Sequence, residues 1–142
     1  MTIRAILQNK GADILSVSGD MRVGDAIALL AEKRIGCVPV IDDGAVQGIF
    51  SERDLVYGIA REGAALLDRK IAEVMISPAI TVERDEPVMG ALGLMTRRRI
   101  RHLPVVEGGR AVGFVSIGDL VKYRIDKIEA EAAAMRDYIQ MS

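Results

Sequence analysis

The chain has 142 residues, of which 50% are hydrophobic and 27% charged, with a net charge of −1. That balance fits one globular domain burying roughly two-thirds of its unfolded surface, and gives no basic excess for nucleic acid. Trp is absent and no apolar run reaches the ~18 residues of a membrane span, so neither a stacking platform for single strands nor a transmembrane segment is expected. A lone Cys37 leaves no disulfide framework and no cysteine metal site. Residues Met1 to Gln8 are too short and too mixed for a secretory signal, which points to a cytoplasmic protein.

In chain order, Thr2 to Gln8 reads as a short helix with Ile3, Ile6 and Leu7 on one face, ended by Gly11. A short strand is expected at Ile14 to Val17 and a turn at Ser18-Gly19-Asp20. An amphipathic helix follows from Val23 to Arg34, with Val23, Ala26, Ile27 and Leu30 inward. Cys37 to Ile41 is a second strand whose Pro39 favours an edge or a strand start. Asp42-Asp43-Gly44 carries hairpin-turn chemistry, so Val46 to Phe50 returns antiparallel before Ser51 opens a helix to about Ala60. Residues 62–75 form a partly helical connector.

The pattern then starts again. Gly113-Phe114-Val115-Ser116-Ile117-Gly118-Asp119-Leu120-Val121 repeats Gly48-Ile49-Phe50-Ser51-Glu52-Arg53-Asp54-Leu55-Val56 at an offset of 65 positions (113 − 48). Between residues 16–58 and 81–123 the register needs no gap and 15 of 43 positions are identical, where average usage would give roughly three by chance. The expected fold is therefore α+β: two pseudo-symmetric β-α-β-β-α repeats packed face to face about a pseudo-two-fold axis, with one cleft per half. The expected boundaries are about 8–62 for the first repeat, 63–75 for the connector and about 76–124 for the second repeat. A C-terminal helix is expected over 125–140, where Ile125, Ile128, Ala132, Met135 and Ile139 form a stripe.

Ser51-x-x-Asp54 and Ser116-x-x-Asp119 sit where a strand enters a helix. By spacing alone they are capping boxes, which start helices without any further role. The same place also suits ligands. A helix N-terminus gathers unpaired N–H groups and the positive end of the macrodipole, which favours phosphate, and an adjacent carboxylate is able to accept from a ribose diol. Arg53, in the first turn after Ser51, is in reach of such a phosphate. Arg97-Arg98-Arg99-Ile100-Arg101-His102 is the densest basic stretch. Arg97 and Arg98 read as solvated cations at a helix C-terminus, whereas Arg101 and His102 enter the strand of Pro104.

The doubled parts resemble a family, the cystathionine-β-synthase (CBS) domain, as a tandem pair running from about Thr2 to Arg124. They are Ser16-Val17 and Thr81-Val82, Pro39-Val40 and Pro104-Val105, and the two Gly-apolar-apolar-Ser-x-x-Asp segments. The resemblance is to small stand-alone bacterial CBS-pair proteins. It implies a regulatory sensor with no required cofactor that binds an adenine nucleotide: AMP, ADP, ATP, NAD(H) or S-adenosylmethionine. By resemblance Asp54 and Asp119 hold ribose, and Ser51 and Ser116 help hold ribose or phosphate. Ser16 and Thr81, with the backbone of Leu15 and Ile80, form the adenine-side wall, and Arg101 and His102 reach phosphate beside Pro104. The first half departs from the pattern, since Gly36 and Cys37 replace Arg101 and His102, so the two clefts are unequal. The resemblance also implies a homodimer joined through the long helices and an unidentified protein target. With one His and no nucleophile–base–orienter set, an enzyme is not expected. The alternative is a nucleotide-independent interaction module in which Ser and Asp are only caps.

Overall fold

In the computed structural model, which describes residues 1–11 and 13–141, helices and strands alternate in two similar passes. In order they are α1 (Ile3–Lys10), α2 (Val23–Lys33), β1 (Cys37–Asp42), β2 (Ala45–Ser51) and α3 (Glu52–Glu62). A 3-10 helix (Gly63–Asp68) leads to α4 (Ile71–Val74), β3 (Val82–Glu83), α5 (Val88–Arg98), β4 (His102–Glu107), β5 (Arg110–Ser116) and α6 (Ile117–Met141). The strands form one sheet in the order β1-β2-β5-β4-β3.

Each half is built on a hairpin, β1 with β2 and β4 with β5, in matching registers from Cys37·Ser51 and His102·Ser116. Each register shifts at the equivalent place, between Val40 and Ile41 and between Val105 and Val106. The hairpins join where Ala45 pairs with Arg110 and the Ala111 N–H donates to the Gly44 carbonyl at 2.8 Å. β1 lies at the sheet edge, as Pro39 led one to expect. Pro104 lies on an inner strand, and β3 pairs only with Val105 and Val106, just past the missing N–H.

The strand expected at Ile14–Val17 shrinks to a single parallel bridge, Val17 with Val40. Val17 takes both available bonds, donating to the Pro39 carbonyl at 3.1 Å and accepting from the Ile41 N–H at 2.9 Å, and the turn at Gly19 and Asp20 ends the pairing. At the other end, the helix anticipated at 125–140 is continuous with the one that opens at Ile117, giving 25 residues. No Gly or Pro stands between Asp119 and Met141 to stop it.

The cores reveal an exchange between the halves. Val17, Val23, Ala26, Leu30, Val38, Val40 and Phe50 pack with Leu66 and Ile71, so the connector completes the first core. Val82, Val88, Ala91, Met95, Leu103, Val105, Val115 and Leu120 pack instead with Ile3, Ile6 and Leu7, so the N-terminal helix completes the second core. The two caps are equivalent. Ile71 donates to the Met21 carbonyl as Ile3 donates to that of Glu86, and Val23 donates to Arg69 as Val88 donates to Met1. The bridges Arg22·Lys70 and Thr2·Pro87 match as well. Residues 1–7 thus correspond to 69–75 at an offset of 68 (71 − 3), not 65. Gly48 and Gly113 permit the close approach: a Cβ there would lie 2.8 Å from Met75 Sδ and 2.6 Å from Leu7 Cδ2 respectively.

Candidate functional site

Both predicted Ser-Asp pairs form helix caps. Ser51 has extended backbone, its N–H donates to Asp54 Oδ2 at 2.9 Å, and its hydroxyl donates to the same oxygen at 3.3 Å. In the second half the Ser116 N–H donates to Asp119 Oδ2 at 2.8 Å and the Asp119 N–H donates to Ser116 Oγ at 3.1 Å. The structural role is therefore real in both halves. Yet both carboxylates remain only half-buried, so capping does not remove them from the reach of a ligand.

The halves differ at these acids. Lys10, the last residue of α1, donates from Nζ to Asp119 Oδ2 at 2.6 Å and to the Phe114 carbonyl at 2.7 Å. Burial alone would raise the Asp119 pKa, but the Lys10 ammonium and the Ser116 donors outweigh it and hold the carboxyl below its ordinary value. Asp54 has no ion-pair partner among the described residues. Its pKa is raised by burial, against the opposing Ser51 bonds and the Arg53 charge. The physical cause of the difference is position 10: counting by the offset of 68, the first half has Pro78 where the second has Lys10.

Each acid borders a cavity between its helix and the cap of its core. The second, about 240 Å³, is lined by Ile6, Asn9, Lys10, Asp119, Lys122, Tyr123 and Asp126. The first, about 150 Å³, is lined by Asp54, Tyr57, Gly58, Arg61, Glu62, Leu66, Arg69, Glu73 and Val74. It is narrower because Leu66 closes over Gly58, where a Cβ would lie 2.5 Å from Leu66 Cδ2, while the second half has Tyr123 at that position. Arg69 is spent on Glu73 and Glu62, which raises its own pKa, and the Lys70 N–H followed by Arg69 lowers that of Glu73.

The other predicted site residues fall at the same end of each hairpin. The Val82·Val105 register sets Thr81 beside Pro104, and the Val17·Val40 bridge sets Ser16 beside Pro39. Ile80 packs on the second core. Thr81 also borders a separate depression with Glu83, Asp85, Glu86 and Leu94. Arg101 is exposed and its carbonyl accepts the Ile117 N–H at 2.8 Å, tying it to the first turn of α6. His102 is half-buried and stacked on Phe114, ring centroids 5.4 Å apart. Burial, then Lys10 and Arg101, lower its pKa despite the pull of Asp119, so at neutral pH it serves as a neutral donor or acceptor. In the first half Gly36 leaves space filled by the Glu52 carboxyl, whose carbon would stand 3.2 Å from a Cβ at that position. Arg53 is exposed beside it. Cys37 is buried, and desolvation followed by the Asp54 charge pushes its thiol up to about 12, which makes it an inert packing residue.

Sequence reasoning missed Lys10. The signal was present: Ile3-x-x-Ile6-Leu7 resembles Ile71-x-x-Val74-Met75, but at a different offset from the main repeat.

The CBS domain profile matches residues 5–61 and 71–126, and the chain belongs to the CBS domain family, with two copies. Both matches begin inside the equivalent helices α1 and α4. The mitochondrial CBS domain-containing protein CBSX3 of Arabidopsis thaliana is 32% identical over 148 residues, covering 98% of this chain and 72% of its own length. Inosine-5'-monophosphate dehydrogenase of Mycobacterium tuberculosis is 36% identical over 113 residues, 78% of this chain, and the chain spans only 20% of that enzyme's length. Among solved structures, the CBS-domain containing protein ATU1752 from Agrobacterium tumefaciens has a TM-score of 0.82 at 39% identity, covering 87% of this chain and 99% of its own. Two others hold ligands. The CBS domain pair of protein MJ0100, in complex with 5'-methylthioadenosine and S-adenosyl-L-methionine, has a TM-score of 0.76 at 25% identity over 89% of this chain and 98% of its own. CBSX2 in complex with AMP has a TM-score of 0.74 at 25% identity over 88% and 96%.

Proposed function

We propose that this chain is a regulatory module that binds an adenosyl ligand at the clefts of Asp54 and Asp119, and that a partner protein reads the resulting shift in conformation. The observation that carries this reading is the repeated Ser-x-x-Asp box at a strand-to-helix junction, with a half-exposed carboxylate beside a cavity in each half. Relatives of the same fold hold AMP, 5'-methylthioadenosine and S-adenosyl-L-methionine, which supports an adenosyl ligand. In this reading Asp54 and Asp119 accept from ribose hydroxyls, and Ser16, Thr81 and Ile80 wall the base. Arg101, His102 and Arg53 lie near the anionic end. The role is binding, not catalysis.

The module is a homodimer in this proposal. Val56 on α3 and Val121 on α6 are exposed apolar side chains at equivalent positions of the two repeats, Ile59 on α3 and Ile125 and Ile128 on α6 are exposed as well, and Val56 is 62% exposed. No helix among the described residues is long and apolar enough to cross a membrane. The cover proposed for these side chains is the same face of a second copy.

The test is a thermal-shift panel of AMP, ADP, ATP, NAD+, NADH and S-adenosylmethionine, followed by calorimetry, with solution mass measured on the same preparation. Ligand at about 100 times its Kd stabilises a single site by about 2.7 kcal/mol, a shift of several degrees in Tm. A selective shift and a dimer mass are expected. Flat traces with a dimer mass would point to the interaction module, and a monomer mass would sink the dimer.

A further inference from the structure

The second cleft carries a feature that its twin lacks. Lys10 arrives from α1, 109 positions away in sequence, and lies on the Asp119 carboxylate at 2.6 Å. Its stem is not free to leave the region, because Ile6 and Leu7 anchor α1 in the second core. Lys122 lines the same cavity, together with Asp126. In the first cleft no ion pair reaches Asp54 among the described residues, the position equivalent to Lys10 is Pro78, and the Glu52 carboxyl fills the space over Gly36. One cleft therefore presents its acid with a cation already on it, the other without.

We infer that Lys10 makes the second cleft selective for adenosyl ligands that carry an anionic group at the 5' carbon, such as a nucleoside monophosphate, over neutral nucleosides. This rests on the adenosyl-binding reading given above. A ribose diol that binds Asp119 competes with the Lys10 ammonium for the carboxylate. The displaced ammonium then shares the cavity with Lys122, and Asp126 is the one other acid in its lining, so a single carboxylate is left to two ammonium groups and a further anion is stabilising. A phosphate supplies one, and the flexible four-carbon stem lets the ammonium turn from the acid to it. A neutral thioether in the same place supplies nothing. Among the described residues Asp54 carries no such ammonium, so the first cleft makes no such demand of its ligand.

The experiment uses the full chain in an Asp54→Ala background, which leaves the second cleft to be read alone. AMP and 5'-methylthioadenosine are titrated by calorimetry into the parent, Lys10→Met and Lys10→Arg. The parent is expected to prefer AMP, and Lys10→Met to reduce that preference by about tenfold, the scale of one charge-assisted hydrogen bond. Affinity for 5'-methylthioadenosine should hold or rise, because Asp119 is released. Lys10→Arg keeps the charge and should keep the preference. Lys10→Met with both ligands still bound at an unchanged ratio overturns the inference and leaves the adenosyl reading standing. Binding by the wild-type chain that vanishes in the Asp54→Ala background also overturns it, since the second cleft then takes neither ligand. If the wild-type chain binds neither AMP nor 5'-methylthioadenosine, the adenosyl reading fails and takes the inference with it.

Discussion

Removing residues 1–10 is expected to unfold the second half of the molecule while leaving much of the first intact. Ile3, Ile6 and Leu7 are almost wholly inaccessible to solvent, and they pack on Val88, Leu103, Val115 and Leu120. Burying each such side chain is worth about 1.5–3 kcal/mol. Together the three approach the total stability of a small domain, about 5–15 kcal/mol. Three backbone bonds are lost as well, from the Ile3 N–H to Glu86, from the Arg4 N–H to Arg84 and from the Val88 N–H to Met1. The first core keeps its cap, because Leu66 and Ile71 remain in the shortened chain. Hydrogen exchange would therefore show loss of protection across β4 and β5 and its retention across β1 and β2. A point variant gives a graded version: Leu7→Ala should cost about 2–5 kcal/mol, read from a denaturant midpoint. If the shortened chain melts at the wild-type temperature, with β4 protected, the exchange of caps between the halves contributes far less than its burial implies.

Asp119→Ala is expected to abolish adenosyl binding in the second cleft at a small cost in stability. The lost cap is worth about 1 kcal/mol. The ion pair to Lys10 adds less than its length suggests, because both side chains are partly exposed, at 38% and 28%. The effect on binding should be far larger, since the carboxylate is the acceptor proposed for the ribose. Asp54→Ala should leave that binding in place and remove only what the first cleft contributes. Calorimetry on the two variants separates the sites, and retained affinity in a folded Asp119→Ala chain would remove the ribose role. Acid provides a second reading of the same pair. The Asp119 pKa is lowered in the folded state, so its contribution is present above the ordinary carboxylate pKa and is lost as pH falls through the lowered value. The Asp54 pKa is raised, so its contribution is present below the ordinary value and is lost as pH rises through the raised one. Asp119→Asn should therefore cost more stability at neutral pH than Asp54→Asn, and the gap should close in acid.

The amino-acid sequence by itself determined whatever depends on neighbours a few positions apart. The Ser51–Asp54 and Ser116–Asp119 caps span three residues and form from the local chain alone. The hairpins follow from Asp42-Asp43-Gly44 and Glu107-Gly108-Gly109, and α2 and α5 follow from their apolar spacing. Because these local signals occur twice in one register, they also disclosed the pseudo-symmetry and the CBS family. Strand length was less legible, since Ile14 to Val17 had strand-like residues but only Val17 found a partner.

Only the tertiary structure decided which helix caps which core. Either amphipathic segment, residues 3–7 or 71–75, presents the same apolar face, and burial is non-directional, so composition could not choose between the two cores. The choice is made by chain connectivity and by the bonds at Met21 and Glu86. It carries Lys10 across to Asp119, and with it the charge difference between the clefts. An ion pair 109 positions apart has no local signature. It exists because packing of Ile3, Ile6 and Leu7 fixes where α1 ends.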